Sequence, residues 1–143
     1  PSKSLILALD KADILLINQE EGQDLARSKK LEGEKLIIRL KNIFKGIIIL
    51  TNGRERVFTI SGNKLYSFVP PDVKVINKTG AGDAFGSGFL SGYIKNKGDM
   101  EKAIRSATFN ACACISRVGA HEGIKKGDCS LAKFKINTED LDR

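Results

Sequence analysis

Residues 77–83, Asn-Lys-Thr-Gly-Ala-Gly-Asp, set two glycines and one carboxylate at what reads as a helix start. A short β-like run, Val73 to Ile76, precedes them, and the segment that follows reads as helix to about Asn96. The first N–H groups of a helix have no intrahelical acceptor, and the dipole adds partial positive charge there, so this geometry suits a phosphate. Gly80 and Gly82 remove the Cβ atoms that would hold a phosphate away from the backbone. Asp83 would repel that phosphate, unless it serves as a base for an incoming hydroxyl while the neighbouring amides hold the phosphoryl group. Glycines plus one acid therefore read as phosphoryl-transfer chemistry.

The elements needed to position this stretch can be read from hydrophobic spacing. Residues 3–11 read as a short helix with Leu5, Ile6 and Leu9 on one face. Asp13 to Asn18 is an apolar run suited to a strand buried on both faces, and Gly46 to Thr51 is a second. Residues 19–30 and 32–44 read as helices, the latter packing Leu36, Ile37, Leu40 and Phe44. Asn52-Gly53 signals a turn. Val57–Ile60 and Leu65–Phe68 alternate around Ser61-Gly62-Asn63-Lys64 as a hairpin that Pro70-Pro71 ends, so the expected sheet is mixed. The 81–96 helix carries Gly86, Gly88 and Gly92, which weaken it and imply close approach by a backbone or ligand. A further helix runs from a cap at Asp99 to about Arg117, with Ala103, Ala107, Ala111 and Cys114 as a small-residue stripe. The tail from Lys125 is polar, with a weak helix or strand near Leu131 to Ile136.

Composition excludes several classes. The net charge of +7 is scattered, and its densest pairs, Lys29-Lys30 and Lys125-Lys126, are too short for a nucleic-acid-binding arm. Two Tyr and no Trp offer little base stacking. Cys112, Cys114 and Cys129 are odd in number and lack Cys-x-x-Cys, so neither a disulfide framework nor zinc is expected, and a cytoplasmic setting is. No apolar run is long enough to span a membrane. The glycine string lacks the Gly-x-Gly-x-x-Gly order of a dinucleotide-binding oxidoreductase.

Thr79-Gly80-Ala81-Gly82-Asp83, continued by Ala84-Phe85-Gly86-Ser87-Gly88-Phe89, resembles the C-terminal signature of ribokinase-like sugar kinases of the phosphofructokinase-B type. The resemblance runs from about Asp13 to Gly123 and implies a three-layer α/β fold, with a mostly parallel, mixed sheet between helices. It implies one α/β domain over 1–143, the C-terminal, nucleotide-binding portion of a longer kinase. The start at Pro1 rather than Met agrees with a preceding half.

The resemblance also implies roles. Asp83 becomes the catalytic base, and the Gly80, Ala81 and Gly82 amides an anion hole. Asn18 and Glu21 match an Asn-x-x-Glu motif that helps to place magnesium; a plain helix start with an Asn cap and first-turn acids is the alternative. Thr51 and Gly53 match a Thr-x-Gly element near the nucleotide phosphates, although Arg54-Glu55-Arg56 stands where the family commonly has another glycine. Asn110 falls at an expected nucleotide contact, with a helix-surface amide as its alternative. Gly119 and Ala120, after Arg117-Val118, resemble the loop that closes over the nucleotide and often holds a monovalent cation. Asn77 replaces the family's usual Asp, keeping a carbonyl oxygen but losing charge, which argues against potassium activation. His121 reads as a loop residue near the nucleotide.

The expected activity is transfer of the ATP γ-phosphate, with Mg2+, to a hydroxyl of a sugar or related small molecule. A nucleoside kinase of the same family and a nucleotide-binding piece without catalysis are the alternatives. The acceptor contacts, and any homo-oligomer, are expected to come from the N-terminal half, with no nucleic-acid or membrane partner.

Overall fold

The computed structural model describes residues 3–116 and 134–141, which belong to two compact units. The described part of the first is 3–69 with 135–141, and that of the second is 70–116 with Phe134. No helix among the described residues is long and apolar enough to cross a membrane.

The first unit runs α1 (Lys3–Lys11), β1 (Ile14–Asn18), α2 (Gln19–Ala26), α3 (Gly33–Lys41), β2 (Ile47–Thr51), β3 (Val57–Ser61) and β4 (Lys64–Phe68), then β5 (Asn137–Asp140). Its strands form one sheet in the order β1-β2-β3-β4-β5. The sheet is mixed, as expected, but its balance is corrected: β1–β2 is parallel and the other three pairings are antiparallel. Connection length explains the first three pairings. Helices α2 and α3 lie between β1 and β2 and carry the chain back in the same direction, whereas residues 52–56 and 62–63, joining β2 to β3 and β3 to β4, are short links that permit only a reversal.

Alternation places Leu15 and Ile17, Ile48 and Leu50, Ile60 and Leu65 on the face where α2 and α3 pack. Leu36, Ile37 and Leu40 of α3 are completely buried there, so truncating any one to Ala would cost about 2–5 kcal/mol. Ile49, Val57 and Phe68, which point to the opposite face, are buried too. Gly46 is dictated by sterics: a Cβ there would stand 2.2 Å from the Asp13 carbonyl oxygen.

Two boundaries differ from expectation for local reasons. Helix α2 stops at Ala26 rather than near residue 30 because Arg27 turns left-handed (φ 52°) and Ser28 N–H reaches back to the Gln23 carbonyl at 2.9 Å. The late polar segment forms its strand at Asn137–Asp140, beyond the expected Leu131 to Ile136, whose first three residues lie outside the described ones. This strand is held at the β3–β4 turn, where the Leu141 N–H donates to the Asn63 carbonyl (2.8 Å) and the Asn63 side chain donates to the Leu141 carbonyl.

In the second unit, α4 (Ala81–Lys95) and α5 (Met100–Ile115) form an antiparallel hairpin. Lys97 and Gly98, both with positive φ, make the turn, and Asp99 caps α5 through a 3.0 Å bond from Lys102 N–H. The expected strand at Val73 to Ile76 is not formed. Pro70 and Pro71 offer no donors, and the Ile76 and Asn77 N–H groups both go to the Ile115 carbonyl, at 2.7 and 3.2 Å, instead of to a ladder.

Candidate functional site

The expected residues gather in two clusters, one in each unit. The second unit holds the glycine-rich turn. The Ile115 carbonyl, an orphan acceptor at the end of α5, takes two N–H groups and thereby anchors the chain just before the turn. Asn77 Oδ1 then accepts the Thr79 N–H at 2.9 Å, an Asx turn that bends the backbone. Gly80 follows as the N-cap of α4 at φ +82°, a left-handed conformation for which glycine is the natural residue. Its carbonyl accepts from Ala84 N–H at 2.9 Å and closes the first helical turn.

The open donors can then be named. Ala81 N–H is directed at the Lys78 carbonyl at 3.4 Å, while the Gly80, Gly82 and Asp83 N–H groups find no acceptor among the described residues. A Cβ on Gly82 would meet nothing within 4 Å among the described residues, so this side of the turn is open. Asp83 sits on the same turn, exposed, and its carboxylate makes no hydrogen bond or ion pair with any described residue. Three open amides beside an exposed carboxylate can hold an anionic group while accepting a proton from something attacking it.

Helix α5 is the wall behind this turn. Cys114 Sγ lies 3.6 Å from the Thr79 carbonyl oxygen, and Asn110, one turn earlier, packs over Gly88 of α4. The sequence reading missed both the Asx turn at Asn77 and the Cys114 contact. The first has a legible signal, an Asn two residues before an N–H that must be satisfied ahead of a helix. The second depends on how α4 and α5 pair.

The first unit gathers Asn18, Glu21, Thr51 and Gly53. Asn18 and Thr51 are ladder partners at the C-terminal ends of two parallel strands, where open α/β sheets place ligands. Asn18 and Glu21 form a full capping box: Asn18 Oδ1 accepts Glu21 N–H at 2.9 Å, and Glu21 Oε2 accepts Asn18 N–H at 3.0 Å. The plain helix-cap alternative is thus present in the geometry. One carboxylate with an amide oxygen nearby also fits magnesium, which keeps most of its shell as water and phosphate. Among the described residues no group of three or more acidic, His or Cys side chains gathers around a point. Gly53 has φ +57° with open space at its Cβ position, in a turn closed by Glu55 N–H to the Asn52 carbonyl at 2.9 Å. Gly119, Ala120 and His121 lie outside the described residues.

Comparison with known proteins follows the same lines. An uncharacterized sugar kinase of Archaeoglobus fulgidus is 40% identical over 80 residues, 56% of this chain and 32% of that protein. A ribokinase of Lactococcus lactis is 28% identical over 127 residues, covering 89% of this chain and 40% of its own length. A putative sugar kinase from Clostridium perfringens shares the fold at TM-score 0.81 and 22% identity, over 97% of this chain and 46% of that one. The chain therefore spans less than half of each of these proteins. A model described as pfkB family carbohydrate kinase matches residues 2–126, and on that match this chain belongs to the pfkB family of carbohydrate kinases.

Proposed function

We propose that the protein carrying this chain transfers the γ-phosphate of ATP to a hydroxyl of a sugar or sugar-like molecule, with Asp83 as the base. The observation that carries this reading is the α4 start, where the open Gly80, Gly82 and Asp83 amides share a turn with the exposed Asp83 carboxylate. The acceptor hydroxyl oxygen forms the new bond to the γ-phosphorus, the bond to the β,γ-bridging oxygen breaks, and ADP leaves. The hydroxyl proton passes to Asp83. The open amides stabilise charge on the transferring group. Ala81, expected as the third donor, contributes less, since its N–H is turned toward Lys78.

Magnesium, when bound, neutralises phosphate charge; Asn18 and Glu21 are the residues of this chain that would hold it, partly through water. Thr51 and Gly53 would meet nucleotide phosphates, and Asn110, Gly119 and Ala120 the nucleotide. The neutral Asn77 offers a monovalent cation no charge at this position, which argues against activation by potassium. A putative ribokinase II of Escherichia coli, 25% identical at TM-score 0.66, has been solved with ATP and magnesium, which supports the cofactor reading. A nucleoside acceptor is the second reading, favoured by adenosine kinase 1 of Arabidopsis thaliana at 28% identity over 119 residues. Single domain organisation over 1–143 and a cytoplasmic location belong to the same proposal. Incubating the full-length protein with ATP, magnesium and a panel of sugars, sugar acids and nucleosides tests it: ADP release that depends on one acceptor class supports the reading, and release with none overturns it.

A further inference from the structure

We propose that Asn77 is a positioning residue for phosphoryl transfer, acting through the backbone of the glycine turn without touching substrate or cation. The inference rests on the phosphotransferase reading above and adds a role that the signature alone does not assign. Three observations carry it. Asn77 Oδ1 accepts the Thr79 N–H at 2.9 Å, so this oxygen is already engaged by the protein. The backbone on its near side is fixed, because the Ile76 and Asn77 N–H groups share the Ile115 carbonyl. The backbone on its far side enters Gly80 at φ +82°, after which the Gly80, Gly82 and Asp83 amides are the ones left open.

Between a fixed anchor and a left-handed glycine, two side-chain bonds set the path at Thr79 among the described residues, and that of Asn77 is the shorter and stronger. The thiol of Cys114 meets the Thr79 carbonyl at 3.6 Å and is a weaker constraint. If Thr79 swings away, Gly80 is free to leave its conformation, since a glycine has wide access to both signs of φ. The amides would then average over directions instead of converging on one oxygen. Misplacement of about 1 Å is enough to cost roughly a hundredfold in rate.

The test uses the full-length protein and four variants: Asn77→Ala, Asn77→Asp, Asn77→Ser and, as a control, Asp83→Asn. Asp keeps the acceptor oxygen with a charge, and Ser keeps an acceptor without one, so the pair separates the turn from electrostatics. For Asn77→Ala we expect turnover to fall roughly tenfold to a hundredfold while KM for ATP and acceptor stays within about threefold. Binding of ADP with aluminium fluoride, which mimics the transferring group, should weaken with turnover while ADP alone binds as before. Asn77→Asp should return to within about threefold of the parent, and amide exchange at Thr79 should accelerate in the Ala variant only. Wild-type turnover in Asn77→Ala beside an inactive Asp83→Asn overturns the positioning role and leaves the kinase reading standing. Failure of both Asp and Ser to restore activity also overturns it. An active Asp83→Asn overturns the kinase reading instead, and Thr79 exchange then decides whether Asn77 holds the turn. If Asn77→Ala does not fold, Asn77→Ser and the exchange data carry the same decision.

Discussion

The Asn110 side-chain amide nitrogen lies 2.7 Å from the point that a Cβ on Gly88 would occupy, so the α4–α5 hairpin closes only because residue 88 lacks a side chain. The Ser106 carbonyl oxygen at 2.8 Å and the Ala107 Cα at 3.0 Å crowd the same point, and backbone atoms cannot rotate away. Gly88→Ala is therefore expected to destabilise the protein by about 1–3 kcal/mol despite alanine's better helix propensity. Urea unfolding of the variant beside the parent checks this.

Gly82 is the opposite case. Its Cβ position is open, and alanine there would raise helix propensity by up to about 1 kcal/mol. We expect Gly82→Ala to be as stable as the parent or slightly more so, yet to lose at least about tenfold in phosphoryl transfer as the methyl group blocks the amides. Stability and turnover measured on one preparation separate the two effects; full activity in Gly82→Ala would mean that nothing approaches these amides.

Potassium dependence is expected to be absent or weak. A carboxylate at residue 77 would attract a cation far more strongly than the neutral amide that stands there. Assays in sodium, potassium and a bulky organic cation should agree within a few-fold, and strong selective activation by potassium would contradict the assignment.

Acid should act on the α5 cap. The Lys102 N–H bond to Asp99 lowers the carboxyl's pKa below its ordinary value of 3.8, with the Lys102 side chain adding to the effect. The folded pKa lies below the unfolded one, so this contribution is present above the unfolded value and is lost as pH falls through the folded one. Asp99→Asn keeps a capping oxygen without the titration. Its melting temperature should fall less steeply than the parent's as pH drops below about 4, and parallel curves would remove Asp99 from the acid response.

How much of this was legible in the sequence depends on the range of the interactions involved. The runs Ile14–Ile17 and Ile47–Leu50, the Asp99 cap and the glycine turn are written in local pattern, and each appears where that pattern places it. Val73–Ile76 has the residues of a strand but no strand, because its last N–H is claimed by Ile115, far along the chain. Asn137–Asp140 has a polar composition that no strand rule would select, and it pairs through the turn at Asn63. For Asn18 and Glu21 the capped helix start, offered beside the magnesium role as its alternative, is present as a full capping box. That Asn110 would rest over Gly88 required knowing how two helices cross, which spacing alone does not encode.

The most direct measurement is the turnover of Asp83→Asn in the full-length protein, taken together with its affinity for ATP. Asparagine keeps the size of the side chain and its ability to cap a helix, while removing the proton acceptor. With Asp83 as the base, turnover should fall by roughly two to four orders of magnitude, the usual span for losing a general base. ATP should bind as well as before or more tightly, since a negative charge beside the phosphates has gone. A turnover within a few-fold of the parent would contradict the account, because Asp83 would then be only a first-turn residue of α4.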